Sequence, residues 1–446
     1  MEQQPGLASR MLPAVAMSGV GFLGMFVSSI VTARLLGVEG RGAFAYFQTV
    51  AAGLGVFALL GIGHGQMFHA AREPAKLRHF VPNAAVVSVL LGGSAAGFYV
   101  IWTRVWQPQG SAAWTWPLAV WLLVAVPAVS MLTFQRQFLL AAHAYVLSKT
   151  NLALTQTLPL LGFAMVYVLG RPSPVSFVAA LVVSQLVCLM LFHLVLTRLT
   201  PGPWSLSAPF AKASLSFGFR QYLSDIALFL TMRLDFFLVG WWLGDRGLGI
   251  YSLAAALAEI VSRVPSELGT MLFPAFAASR VPKGTAERIV RVLWTTSIGV
   301  ALLLGLFAKP LVTILFGGRF AGVVPAFRWL LPGTVAWSTI YVTWNHASAR
   351  GAPAIGVPVF TAAALLDLVL NAMFLKQFGV VAASLAATAS YWLAAILFLV
   401  RFCRAEGCRF RDCLVPRSSD LAWLLEQAKE VAALRSRGGS SGSGAA

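Results

Sequence analysis

Nine ionisable side chains stand where this 446-residue chain is otherwise apolar. Arg220, Asp225, Arg233 and Asp235 fall in one apolar stretch, Glu259, Arg263 and Glu267 in the next, and Arg328 and Asp367 farther on. A charge at hydrocarbon depth costs about 3 kcal/mol or more unless it is paired or faces water, so each is a candidate for function. The chemistry follows from residue type. A guanidinium can hold a phosphate through two parallel hydrogen bonds. An embedded carboxylate, disfavoured by desolvation and favoured by a neighbouring arginine, is a natural seat for a coupling proton or sodium ion.

Spacing narrows the roles. Glu259, Arg263 and Glu267 follow i, i+4, i+8 and share one helix face, so Arg263 is either a phosphate anchor or the middle of an intrahelical ion pair. Arg233 and Asp235 lie about 200° apart around a helix and cannot face each other, whereas Asp225 and Arg233 are only about 80° apart and can line one wall. Arg220 and Arg328 suit either substrate contact or snorkelling toward headgroups. Asp225, Asp235 and Asp367, with Glu259 and Glu267, are read as coupling sites or as charge balance for the arginines. The first two spans offer only neutral polar side chains such as Ser28, Gln48, His64 and Gln66, so the two halves are expected to be electrically unlike.

The elements that must position these groups are membrane helices. The chain is 58% hydrophobic and 11% charged, with a mean hydropathy of +0.78, and its apolar runs exceed the roughly 20 residues needed to cross a bilayer. That excludes a soluble globular protein, and the unbroken runs exclude an outer-membrane barrel. Twelve spans are expected, the fourth ending near Gln135 and the fifth beginning near Ser148. Loops on the side of the termini carry more Lys and Arg than those opposite, with Arg136 counted among the former and Arg41 among the latter. Both termini are therefore expected in the cytoplasm. Two six-helix lobes are expected at 1–200 and 201–406. They precede a cytoplasmic tail at 407–437 with an amphipathic helix from Ser419 to Arg437, and a Gly/Ser tract at 438–446 that is either native or vector-derived.

The net charge of +18 is spread over loops and tails, which suits anionic lipids or an anionic cargo and not nucleic acid. Trp102, Trp106, Trp114, Trp116, Trp241 and Trp242 read as an interfacial belt. Cys403, Cys408 and Cys413, at five-residue spacing without CxxC or histidine, read with Cys188 as free thiols and not as a metal site. No Walker A, HExxH or GxSxG motif occurs, so neither an enzyme nor a resident cofactor is expected, apart from a possible coupling H+ or Na+.

The halves share a signature. Leu36, Gly37, Gly42 and Phe44 (LGxxxxGxF) recur as Leu243, Gly244, Gly249 and Tyr251 (LGxxxxGxY) at the same helix junction, as in a duplicated bundle with parallel repeats. The first glycine is expected to end a helix and the second to open the next where helices approach closely. The segments Ala33 to Gly65 and Arg233 to Ala277 resemble the Wzx-type lipid-linked oligosaccharide flippases, of the polysaccharide transporter family in the multidrug/oligosaccharidyl-lipid/polysaccharide exporter superfamily. This resemblance implies a V-shaped all-α fold of two pseudo-symmetric lobes and a cationic central cavity. It also implies alternating access that carries an undecaprenyl-diphosphate-type lipid-linked oligosaccharide across the bacterial inner membrane, with a polysaccharide polymerase or ligase as a possible partner. Arg233 and Arg263 are the expected diphosphate clamp. A multidrug antiporter of the same superfamily, a lipid II flippase (usually fourteen spans) and a non-transporting scaffold of a glycan assembly complex are the other readings.

Overall fold

The structure is a computed structural model that describes residues 7–105, 116–200, 202–277, 284–350 and 353–420. The expected amphipathic helix beyond Asp420, the Gly/Ser tract, Trp106 and Trp114 lie outside the described residues. The first half comprises α1 (Leu7–Leu59), α2 (Ile62–Arg72), α3 (Leu77–Val87), α4 (Gly93–Val105), α5 (Trp116–Ala141), α6 (Tyr145–Val168) and α7 (Pro174–Leu199). The second comprises α8 (Ala208–Ala277), α9 (Thr285–Leu306), α10 (Ala308–Phe316), α11 (Val323–Ala349), α12 (Gly356–Phe378) and α13 (Val380–Glu406), followed by a short α14 (Phe410–Leu414).

Nine helical stretches among the described residues are long and apolar enough to cross a membrane. Two of these, Pro13–Leu59 and Ala208–Gly269, hold two spans each. A straight helix of the length of α1, 53 residues, would reach about 80 Å, far beyond a bilayer core of about 30 Å. Its helical geometry breaks at Gly37 (φ 71°, ψ −172°), and that of α8 breaks at Gly244 (φ 65°, ψ −168°). With α11, 27 residues long, these make up the expected twelve spans.

Gly37 and Gly244 adopt the same left-handed conformation, which a side chain would strain, so the sequence repeat is also a repeat of backbone geometry. The second glycine of each motif has a different duty. A Cβ on Gly42 would lie 1.8 Å from the Asp245 carbonyl oxygen, and one on Gly249 would lie 2.0 Å from that of Val38. Val38 and Asp245 are themselves equivalent in the repeat. Each half thus presses its motif glycine onto the other's junction, a pseudo-two-fold contact at this end of the molecule. Arg34 adds to it by donating from Nε to the Leu315 carbonyl at 2.8 Å and from Nη2 to that of Ile314, satisfying carbonyls at the C-terminal end of α10.

The apolar core follows the same plan. At the Gly37/Gly244 end one continuous cluster spans both halves, from Phe44, Phe163 and Phe177 to Phe236, Tyr251 and Trp337. Toward the other end the core divides into a first-half cluster around Phe80, Phe134 and Phe138 and a second-half cluster around Val290, Phe402 and Cys413. The lobes share one apolar core at the Gly37/Gly244 end; toward the other the core is divided, although α2 and α8 still touch there, and polar space lies between the lobes. Leu161, Val168, Met190, Leu194, Leu302 and Ile314 point outward, as a lipid-facing surface requires.

Candidate functional site

Between the lobes lies a cavity of about 310 Å³. Ser28, Arg41, Gln48 and Gln156 of the first lobe and Arg233 and Glu259 of the second are among its walls. Arg233 Nη2 donates to Glu259 Oε1 at 3.1 Å, joining the two spans within α8, and the Arg233 guanidinium stacks 4.8 Å from the Phe236 ring centre. The pair is not sealed in dry packing, since the two side chains stay 31% and 25% exposed.

Arg41 is the sharper case. It is only 6% exposed, its guanidinium lies 5.8 Å from the Phe44 ring, and its Nε has no hydrogen-bond acceptor among the described residues. No carboxylate pairs with it among those residues. A buried guanidinium so placed needs water or an anion to offset its lost hydration.

Two cavities adjoin the first. One of about 410 Å³ shares Arg233 and is also lined by His64, Gln137, Tyr222 and Asp225. The other, about 210 Å³, shares Gln48 and Gln156 and is lined by Arg136, whose Nη2 donates to Thr133 Oγ1 at 2.9 Å. Ion pairs then tie the lobes together away from the Gly37/Gly244 end. His64 Nε2 meets Asp225 Oδ2 at 2.7 Å, and Lys149 Nζ meets Glu267 Oε2 at 3.0 Å. Beside the first pair the backbones of Gly61 and Gly218 touch closely enough that neither admits a side chain.

A separate group of acids is enclosed within the second lobe. Asp235 accepts from the Tyr251 hydroxyl and from the Phe236 N–H at 2.8 Å. Asp367 is 1% exposed, and neither of its carboxylate oxygens has a hydrogen-bond partner among the described residues. The same is true of the Asn371 side-chain oxygen one turn on.

The pattern that defines the polysaccharide biosynthesis protein family matches residues 31–325. The chain belongs to this family. No curated protein matches it. Among solved structures it is similar to a multidrug resistance MATE family transporter of the MOP superfamily in its inward-facing conformation (TM-score 0.65, 15% identity, covering 89% of this chain and 98% of that one). It is likewise similar to such a transporter in an outward-facing conformation (TM-score 0.60, 17% identity, covering 89% and 95%). A third neighbour is a MOP superfamily transporter from Pyrococcus furiosus, described as having a binding pocket of reverse polarity suggesting a different function (TM-score 0.56, 17% identity, covering 89% and 95%). At these identities the likeness is one of fold: a polysaccharide biosynthesis protein with a MATE-like exporter fold, in keeping with the Wzx-type resemblance.

In this fold the expected site residues scatter. Arg233 and Asp225 do line one wall, and Asp235 turns away from the interlobe space into its own lobe. Arg263 is not part of the Arg233 cavity; its guanidinium lies 5.1 Å over the Phe22 ring of α1. Neither Glu259 nor Glu267 pairs with it, because each reaches across to another helix instead. Arg220 is exposed, and Arg328 is exposed with Nε on the Gly305 carbonyl at 3.1 Å, so neither lines the cavity.

The expectation that the first two spans offer only neutral polar side chains is corrected by Arg41, and Arg136 adds a second unexpected charge farther along the first lobe. Both were counted as loop residues. Arg136 is inside α5 because that helix continues to Ala141, past the expected end at Gln135, carried by Phe138 and Leu139. Arg41 stands between the two glycines Gly40 and Gly42, and that position inside the repeated motif was the available signal.

Proposed function

We propose that this transporter is a flippase that moves a polyprenyl-diphosphate-linked oligosaccharide from the inner to the outer leaflet of the bacterial cytoplasmic membrane by alternating access, for surface polysaccharide assembly. The observation that carries the reading is the pair Arg41 and Arg233, one from each lobe, on a single interlobe cavity whose one carboxylate is Glu259. A diphosphate cannot enter hydrocarbon without a charged, hydrated path, and two guanidiniums supply fork-shaped donors for it. Arg41 is held without a carboxylate among the described residues, and Arg233 can exchange Glu259 for a phosphate oxygen. Gln48, Gln156 and Ser28 offer neutral hydrogen bonds of the kind sugar hydroxyls use, while the lipid tail stays in the bilayer. With both termini cytoplasmic, the Gly42/Gly249 contact closes the outer side.

Asp235 and Asp367 are the proposed coupling site. Two enclosed carboxylates, one with no hydrogen-bond partner on its oxygens among the described residues, invite a proton or sodium ion whose arrival would change packing within the second lobe.

The test is flipping of a lipid-linked oligosaccharide by protein reconstituted in liposomes. Arg41→Ala and Arg233→Ala are expected to abolish it while the protein still purifies as a monodisperse species. Unchanged flipping in both would overturn the reading. Extrusion of a cationic dye that fails in Asp235→Asn would point to an antiporter instead.

A further inference from the structure

The three tail cysteines, five residues apart in sequence, are brought together by the fold. Cys403 lies in the last turn of α13, and Gly407 (φ 71°) reverses the chain so that the Cys408 N–H bonds the Cys403 carbonyl at 3.1 Å. α14 then lays Cys413 back over the helix end. Cys413 Sγ stands 3.9 Å from Cys403 Sγ and 3.8 Å from Cys408 Sγ, and all three sulfurs lie within 4.8 Å of one another.

We propose that Cys403, Cys408 and Cys413 bind one zinc ion, which clips the C-terminal tail to the ends of α9 and α13. Zinc–thiolate bonds of about 2.3 Å place the sulfurs of a tetrahedral site about 3.8 Å apart, the spacing seen here for two of the three pairs, with the third within 4.8 Å. Cys413 is fully buried and Cys403 6% exposed, so two ligands are held by packing against Val290, Leu399 and Phe402. Cys408 opens on a cavity of about 450 Å³ lined also by Arg288, Arg291 and Arg417, through which the ion and a fourth ligand, water, enter. Three thiolates on a divalent ion leave one negative charge, and the cavity beside them carries both signs, with Arg288 and Arg291 paired to Asp420, Arg417 paired to Asp412, and Glu287 and Glu406 also in its walls. Each thiol releases its proton to water on binding, so affinity rises with pH.

The test uses the full chain purified under reductant, equilibrated with zinc sulfate and freed of unbound metal by gel filtration. Elemental analysis is expected to find one zinc per chain in the parent protein and in Cys188→Ser. In Cys403→Ser, Cys408→Ser and Cys413→Ser the content is expected to fall to about a tenth or less. Cobalt(II) in place of zinc is expected to give a thiolate charge-transfer band in the parent protein, a readout that holds even if a variant folds poorly. Parent protein with no more metal than the triple serine variant, and no such band, would overturn the proposal. So would a Cys408–Cys413 disulfide in protein isolated without air.

Discussion

In the proposed clamp Arg41 and Arg233 do the same chemistry from different starting points. Arg233 already spends one hydrogen bond on Glu259, whereas Arg41 is buried with no Nε acceptor among the described residues. Losing a charged hydrogen bond to a ligand costs about 1.5–3 kcal/mol, which is about 10-fold or more in affinity. Initial flipping rates in liposomes are therefore expected to fall by at least about 10-fold in Arg41→Ala and Arg233→Ala, and to stay near the parent value in Arg328→Ala, whose side chain is outside the cavity. Equal loss in all three would mean that the effect is not local to the cavity. In the tail, Arg291 donates to both Asp420 carboxylate oxygens at 2.7 Å and holds that carboxyl below the usual carboxylate range. A folded-state pKa that is depressed gives stability that is present at neutral pH and is lost as pH falls through the depressed value. Hydrogen-exchange protection over 410–420, relative to the intrinsic rate at each pH, is expected to be high at pH 7 and to fall below about pH 4, with Asp420→Asn weakly protected at both; protection that does not change with pH in the parent chain would contradict this.

The broken helices α1 and α8 are the working elements, because each carries a left-handed glycine at its break and a second glycine at the contact between halves. A Cβ at Gly42 or Gly249 meets backbone carbonyl oxygen at 2 Å or less, and backbone cannot swing aside as a side chain can. Gly42→Ala and Gly249→Ala are each expected to pry this end apart. Spin–spin distances measured across the Gly37/Gly244 end should lengthen and favour the state open there, while Gly19→Ala, where a Cβ meets nothing within 4 Å, should leave them unchanged. Identical distances in all variants would show that the close approach is not what holds this end shut.

For the molecule as a whole, the proposed alternating access requires contacts that can be exchanged at modest cost. The apolar core is continuous across the lobes at one end and divided toward the other, where Lys149–Glu267 and His64–Asp225 bridge the two lobes. The Lys149–Glu267 pair keeps about a quarter of each side chain exposed, so it is worth about 1 kcal/mol at most. Lys149→Ala is expected to shift the conformational equilibrium by up to about 5-fold toward the state open at that end. The swap Lys149→Glu with Glu267→Lys should restore the parent distribution. Accessibility of introduced cysteines to a membrane-impermeant reagent measures both; a swap that fails to restore it would show that the pair does not form.

Much of this was legible in the sequence. Apolar runs of bilayer length fix an all-helical membrane fold, and the repeated LGxxxxG motif locates both helix breaks and the glycines at the lobe contact, because only glycine tolerates a left-handed turn or touching backbones. The embedded acids and Arg233 were visible as charges in apolar surroundings. Which charges meet was not. Glu259 chose Arg233 over Arg263, and Glu267 chose Lys149, since pairing is decided by which helices lie side by side and not by spacing along one of them. Arg41 and Arg136 sat at punctuation between apolar runs and looked like loop residues until packing drew them inside. The three cysteines likewise became neighbours only because Gly407 turned the chain back on α13. Composition and periodicity act through the local chain and its solvent, so a sequence displays them. A cavity is a relation among distant segments, and only the assembled helices create it.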